Sequence, residues 1–461
     1  MLIRFIRFIE PIAKPLAVGF VCWLGGCADA PQRNPADLSF ARPQQWHAGY
    51  QPASRPLTAW VKSFADPKLS ALVETSLFDN FDLKTAAARI DAARQQAVIA
   101  GAGRLPQLQL APGYVRGKSP GASETGSFDA LFNFSWELDI WGRIKAQQQA
   151  AGLEAEAVLG DFSGARLSLA TLVAQSYFEL IEAKLQAEVA AKSVQDRSTI
   201  ADLIQGRFNR GLTGGLDLRL VLTDVANAKA QLAQAENTVQ QLTKRLQTLL
   251  GHYPDGLIDY GFKLPDPPTL LSPGLPSELL TRRPDIIAAF ARWQAADSRL
   301  ESAQKALLPR LTLTAAGGTS SPALTELADA RSAAWNVAAG LIQPIFTGGQ
   351  LRGQIRFTEA EVRIAANQYQ STVLNAFREV EQALAAEAWL RGQEQALREA
   401  VEQTRASQEL AVKSYQQGLI QILTLLDSYR STLNAQSAHL AVKRQLLNNR
   451  IALYLALGGD V

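Results

Sequence analysis

Phe128-Asp-Ala-Leu-Phe-Asn-Phe-Ser-Trp-Glu-Leu138 is the stretch on which the fold turns. Read as a strand, it sets Phe128, Ala130, Phe132, Phe134, Trp136 and Leu138 on one face, and Asp129, Asn133, Ser135 and Glu137 on the other. About ten residues, oily on one side, wet on the other and rich in aromatics, suit a strand of an outer-membrane barrel. Leu108, Leu110 and Tyr114 continue the pattern in a partner strand. Leu311 and Leu313, then Trp335, Val337, Ala339 and Leu341, give weaker versions later in the chain. A half-buried soluble hairpin packed on helices has the same alternation, so pattern alone leaves both readings open.

Around these strands the chain reads as helix. Proline, which breaks helices, is absent from Gly121 to Tyr253 and from Ile345 to Val461. Both stretches are rich in Ala, Leu, Gln, Glu, Lys and Arg, all compatible with long helices. Gly211 and Gly418 stand where a helix would turn back, since glycine accepts the left-handed geometry of a helix end. The arms before those turns, from about Gly142 to Phe208 and from about Gly349 to Tyr415, would each be on the order of 100 Å long. Two segments, Pro67 to Arg104 and Leu216 to Leu250, are about half that length and could stack end to end beside a long arm.

The landmarks recur. Gly142 and Gly349, Gly211 and Gly418, and Gly251 and Gly458 each stand 207 positions apart, and Pro106 and Pro309 stand 203 apart, which indicates a tandem duplication. The expected division is a leader at 1–26, a lipidated linker at 27–56, a first repeat at 57–250, a Pro/Gly-rich equatorial linker at 251–275 and a second repeat at 276–461.

The amino terminus reads as an address. Arg4, Arg7 and Lys14 precede an apolar run from Pro15 to Leu24, too short to span a bilayer, which ends in Leu24-Gly25-Gly26-Cys27. The tetrad is similar to the bacterial lipobox, in which Cys27 would become the first mature residue and carry acyl and diacylglycerol lipid. No other apolar stretch of about 18 residues stands out, so any crossing of a membrane is expected to use strands.

Composition removes several function classes. Lys+Arg at 46 nearly balance Asp+Glu at 43, so no basic field for nucleic acid is present. Removal of Cys22 with the leader leaves one sulfur and no intrachain disulfide. His47, His252 and His439 lie far apart, without metal-ligand spacing. No phosphate-binding or dinucleotide loop occurs, and no nucleophile, base and metal constellation supports a periplasmic enzyme. No cofactor or metal is expected beyond the Cys27 lipid.

Four strands cannot close a barrel, because membrane barrels begin at about eight and an open edge in lipid leaves backbone groups unsatisfied. Two copies would give eight strands with a filled interior; three would give twelve and leave a lumen.

Trp136-Glu-Leu-Asp-Ile-Trp-Gly-Arg-Ile144 resembles the strand-to-helix signature of the TolC-type outer-membrane efflux family, specifically its lipoprotein branch of the OprM and NodT kind. Phe64-Ala-Asp-Pro-Lys-Leu69, Gly274-Leu-Pro-Ser-Glu-Leu-Leu-Thr-Arg-Arg-Pro-Asp-Ile286, Gln343-Pro-Ile-Phe-Thr-Gly-Gly349 and Tyr415-Gln-Gln-Gly-Leu419 extend the resemblance from about residue 57 to the end. It implies a mainly α fold with a transmembrane β part: a long periplasmic helical barrel and four strands per protomer of a shared twelve-stranded barrel. It also implies a homotrimer in outer-membrane lipid that docks a periplasmic adaptor protein and an inner-membrane pump, and passively exports small molecules. Carried over by position, Leu423, Asp427 and Asp217 form the pore gate, and Leu212, Thr213, Leu419 and Ile420 around the Gly211 and Gly418 turns form the adaptor contact. The competing expectation is a lipid-anchored periplasmic helical scaffold or adaptor without a pore. It accounts for Cys27 and the hairpins and leaves the amphipathic strands without a use.

Overall fold

A computed structural model of the chain describes residues 29–48, 60–118, 120–121, 123–268 and 274–459. Cys27 and the leader before it lie outside the described residues. The long elements are α1 (Pro67–Asp79), α2 (Phe81–Ala102), β1 (Gln107–Gly117), β2 (Thr125–Leu138), α3 (Arg143–Asn209), α4 (Gly215–Leu249), α5 (Pro284–Lys305), β3 (Arg310–Ser321), β4 (Ala333–Ile342), α6 (Gln350–Gln416) and α7 (Ile422–Ala456). Lengths recur as the landmarks do: α2 and α5 have 22 residues each, α3 and α6 have 67, and α4 and α7 have 35.

The first short arm is two helices where one is expected. Asn80 ends α1 and starts α2: its Oδ1 accepts the Leu83 amide at 3.0 Å, and its Nδ2 donates to the Leu249 carbonyl at 2.9 Å. A side chain that satisfies one helix start and one helix end stabilises the break, although the apolar pattern runs through it. A second expectation is also corrected, because α3 contains a stretch long and apolar enough to cross a membrane by composition. Leu167, Ala170, Val173, Ala174, Phe178 and Ile181 of this helix are core residues, and a core helix passes the same test.

The strands form one antiparallel sheet in the order β1-β2-β3-β4. Its register aligns the four oily stripes. Leu108 is opposite Phe134 and Leu110 opposite Phe132; Phe132 is opposite Gly317, and Gly317 opposite Trp335; Trp136 is opposite Leu313, and Leu311 opposite Leu341. Residues directly opposite share a face, so one face is apolar across all four strands and the other carries Gln109, Asp129, Asn133, Glu137, Thr312 and Asn336. Among the described residues no helix covers the oily face: Leu110 is 58% exposed, Leu341 70% and Trp335 81%. The soluble-hairpin reading requires this face to be buried.

The chain divides into two compact units. Of the described residues, one unit comprises 29–37, Arg89–Leu159 and Ala288–Gln370 and holds the sheet and the adjoining helix ends. In it the helices lie in the order α2, α3, α5, α6: Arg104, just past α2, donates to Gln148 at 2.8 Å, Arg299 of α5 pairs with Glu154 of α3 at 2.8 Å, and Tyr369 of α6 packs on Phe290 and Trp293 of α5. The segment from Asp29 is strapped to α5 and α6. Arg33 makes a bidentate bridge to Asp297 at 2.8 and 2.9 Å and stacks over Trp293, the Ala30 amide donates to Glu301, and the Tyr369 hydroxyl donates to the Pro35 carbonyl.

The other unit, Leu38–Ala88, Gly160–Ile287 and Ser371–Val461, is helical. Its order is α4, α3, α7, α6. Arg197 of α3 bridges Asp224 of α4 at 2.5 Å, Arg444 of α7 bridges Glu182 of α3, and Arg450 of α7 bridges Glu387 of α6 at 2.6 Å. Trp60, Phe64, Phe178 and Tyr454 form an aromatic core at one end. A separate cluster of Ile200, Ile204, Leu218, Val221, Tyr415, Ile422 and Leu425 fills the other, where the hairpins turn.

Candidate functional site: an open sheet and paired hairpin tips

Within the strand-bearing unit, β1 and β4 are edges with no further strand partner among the described residues. Where β2 hands over to α3, the Trp136 indole donates to the Arg104 carbonyl at 2.9 Å, and the Trp141 indole to the Pro309 carbonyl at 2.8 Å. These bonds satisfy two N–H groups that would otherwise need water. On the polar face Asp129 accepts from Ser127 at 3.1 Å and from Ser320 at 2.6 Å, so its charge is held on the side away from the oily stripe.

In the helical unit the two tips are built alike. Gly211 and Gly418 take φ of 70° and 76°. The Leu212 amide reaches back to the Arg207 carbonyl at 2.9 Å and the Leu419 amide to the Ser414 carbonyl at 2.9 Å, the six-to-one bonds of a Schellman end. Arg207 lies over the Tyr415 ring, 5.5 Å from its centre, and links the last turns of α3 and α6.

The expected site residues fall on this end of the unit in different surroundings. Leu212, Leu419 and Leu423 are exposed, and Leu423 is 57% exposed. Ile420 packs against the tip core. The Thr213 hydroxyl donates to Asp217 at 2.5 Å, in the first turn of α4, where a carboxylate also meets the positive end of the helix dipole. Asp427 is bound by Arg430 one turn further along α7. No bond joins Asp217 to Asp427 among those the structure gives.

Three charged residues of this region are missing from the sequence reading. Arg430 is visible as an i, i+3 partner of Asp427, and that spacing alone could have found it. The pair of Arg197 and Asp224 carries no local signal, being 27 positions apart across a hairpin. Burial holds the Asp224 carboxyl above the ordinary aspartate range, against the pull of Arg197 and Arg430.

A sheet that is oily on one whole face and polar on the other, with both edges unpaired among the described residues, in a chain whose two longest helices have 67 residues each, defines a channel-forming protein of the outer-membrane class. The family model for the outer membrane efflux protein matches residues 72–252 and 275–459, and the chain belongs to that family. It is 33% identical over 441 residues, 92% of this chain and 93% of the relative, to the pyoverdine export outer membrane protein OpmQ of Pseudomonas putida. It is 28% identical to the probable outer membrane lipoprotein SilC of Salmonella typhimurium, over 97% of this chain and 98% of that one. Its fold matches the open state of the Neisseria gonorrhoeae MtrE outer membrane channel with a TM-score of 0.84 and 28% identity, covering 94% of this chain and 98% of that one. The chain is therefore the outer-membrane channel component of an efflux system, a conduit and not an enzyme, and the scaffold without a pore is set aside.

Proposed function

We propose that three copies of this chain share one conduit, anchored by lipid on Cys27 and closed or opened at the hairpin tips. The observation that carries this reading is the sheet register, which leaves an uncovered oily face between two unpaired edges. In lipid every backbone group needs an internal partner, so β4 of one copy has to meet β1 of the next. In each unit the two free flanks differ, α2 against α6 in one and α4 against α6 in the other, so copies join head to tail and a ring closes them. Twelve strands are the smallest multiple of four that leaves a lumen.

The finer assignments rest on where these residues stand relative to the hairpin turns in the family pattern. Leu423 and Asp427 on α7, with Asp217 on α4, are the gate. A ring of three Asp427 carboxylates favours cations and resists tight closure, and Arg430 moderates both effects. Leu212, Thr213, Leu419 and Ile420 at the turns are the surface for a periplasmic adaptor, behind which an inner-membrane pump supplies the energy. The name of SilC supports a lipid anchor in this branch.

Native mass spectrometry of the detergent-extracted protein tests the reading. Three chains, each carrying the mass of an acylated diacylglycerol-cysteine at position 27, are expected. A single chain, or two, overturns the shared conduit, and an unmodified first residue overturns the anchor.

A further inference from the structure

Charge is kept off the oily face of the sheet except at one place. The strand residues that share this face in β2, β3 and β4 are all uncharged, and so are Leu108, Leu110, Pro112 and Tyr114 of β1. The next residue of β1 on the same face is Arg116, opposite Gly126, and the exposed Lys118 follows just past the strand. Both stand where β1 turns into β2, at the end of the sheet away from the helices. On the polar face the strands carry Asp129 at this end and no other charge, so the two faces have opposite sign there. We infer that Tyr114, Arg116 and Lys118 form a binding site for the phosphate of a phosphorylated glycolipid in the leaflet remote from the helices. The inference needs the sheet in lipid and does not depend on the number of copies.

Depth puts these side chains among headgroups. From Phe128 to Leu138 the oily stripe of β2 runs about 34 Å along the strand, which a tilt of about 45° reduces to about 24 Å in depth, close to the roughly 25 Å apolar band of such barrels. Tyr114, its ring centre 4.4 Å from that of Phe128, marks the border as an aromatic girdle does. Arg116 is about 7 Å further along the strand and about 5 Å further in depth, which is the headgroup layer. There the stems of Arg116 and Lys118 lie along acyl chains while their charges reach the phosphates.

The rim is also built to present donors. The Tyr114 phenol lies across β2 with its hydroxyl over Gly126, where a Cβ would come within 2.7 Å of the oxygen. Since Gly126 is directly opposite Arg116, hydroxyl and guanidinium stand at one level. The Tyr114 ring is 51% exposed, and its hydroxyl makes no hydrogen bond to another described residue. Glu124 pairs with Arg116 at 2.8 Å and holds it at the rim. Lys118 has no ion-pair partner among the described residues, so two cations face one carboxylate. The β3–β4 hairpin has no such surplus: Arg331 donates to both oxygens of Asp329, and Glu326 accepts from Ser321. A planar guanidinium, an ammonium and a free phenol together match the several acceptor oxygens of one phosphate. In the outer leaflet of an outer membrane, a phosphate at this depth belongs to a phosphorylated glycolipid.

Lipid retention tests the site. The full chain is placed in phosphatidylcholine nanodiscs that contain a small fraction of diphosphorylated lipid A, its dephosphorylated form or phosphatidylglycerol. Lipid kept by the protein after extraction into mild detergent is then counted by native mass spectrometry. Diphosphorylated lipid A is expected to be retained in preference to both others. Arg116→Ala with Lys118→Ala should cut its retention about tenfold or more, the worth of a charge-assisted hydrogen bond. Gly126→Val, which displaces the Tyr114 hydroxyl, should also lower it, and Glu124→Gln, which frees Arg116, should raise it. Equal retention by the native chain and the double variant, or of the phosphorylated and dephosphorylated lipids, overturns the site. Phosphatidylglycerol retained as well as lipid A overturns the assignment to a glycolipid. A chain that stays in the water-soluble fraction and never enters the nanodisc overturns the placement of the sheet in lipid, and the site with it.

Discussion

The Asp427 carboxylate is bound by Arg430 one turn along α7, and both side chains stay more than half exposed. A pair this open contributes at most about 1 kcal/mol to stability, so its effect should be on charge in the pore and not on folding. Asp427→Asn is expected to reduce cation preference and leave the melting temperature within error. Arg430→Ala, which releases the carboxylate, should raise the cation preference. Reversal potentials across a salt gradient measure both, and equal potentials in all three proteins would remove Asp427 from the gate.

The oily and wet faces of the sheet predict an asymmetry between neighbours. Phe132→Arg puts a cation on the lipid face and should cost about 2–4 kcal/mol if it lies near the midplane, whereas Asn133→Arg points to the other face and should cost little. Yield of heat-resistant assembly in the outer membrane reads the difference. Equal loss from both substitutions would mean that the sheet is not in lipid.

Gly418 holds φ at 76°, where a Cβ is strained. Gly418→Ala should destabilise the tip by about 1–2 kcal/mol, as faster amide exchange in the last turn of α6 and the first of α7. Exchange at the aromatic core around Trp60 should not change.

Asp224 gives the tip a pH dependence. Its folded pKa is raised above the unfolded value, chiefly by burial, so in the window between the two the folded state holds the proton more often. Stability from this group is therefore present below that window and falls as pH rises through it. Exchange protection of the α3–α4 turn is expected to decline across mildly acid pH in the native protein, relative to Asp224→Asn, in which this dependence is absent. Asp224→Asn, uncharged at every pH, should keep at neutral pH the protection that the native protein shows only below the window.

Much of this fold is legible in the sequence because two strong periodicities dominate it. The alternation from Phe128 to Leu138 identified a strand, and the proline-free arms identified helices whose bounds differ from the observed Arg143–Asn209 and Gln350–Gln416 by one residue. The register was not legible, since matching Leu110 to Phe132 and Gly317 to Trp335 depends on turn lengths and pairing between distant strands. Asn80 was missed because apolar residues flank it on both sides and only its two side-chain bonds reveal the break. The strap from Asp29 to Ala48 has no period at all. Its order comes from long-range partners such as Asp297 and Glu381, which no local pattern announces.

Single-channel recording in planar bilayers tests most directly whether identical chains jointly enclose a water-filled path. The purified protein should produce discrete, long-lived steps whose cation preference falls in Asp427→Asn. Bilayers that stay silent while the same preparation contains intact three-chain assembly would contradict the account.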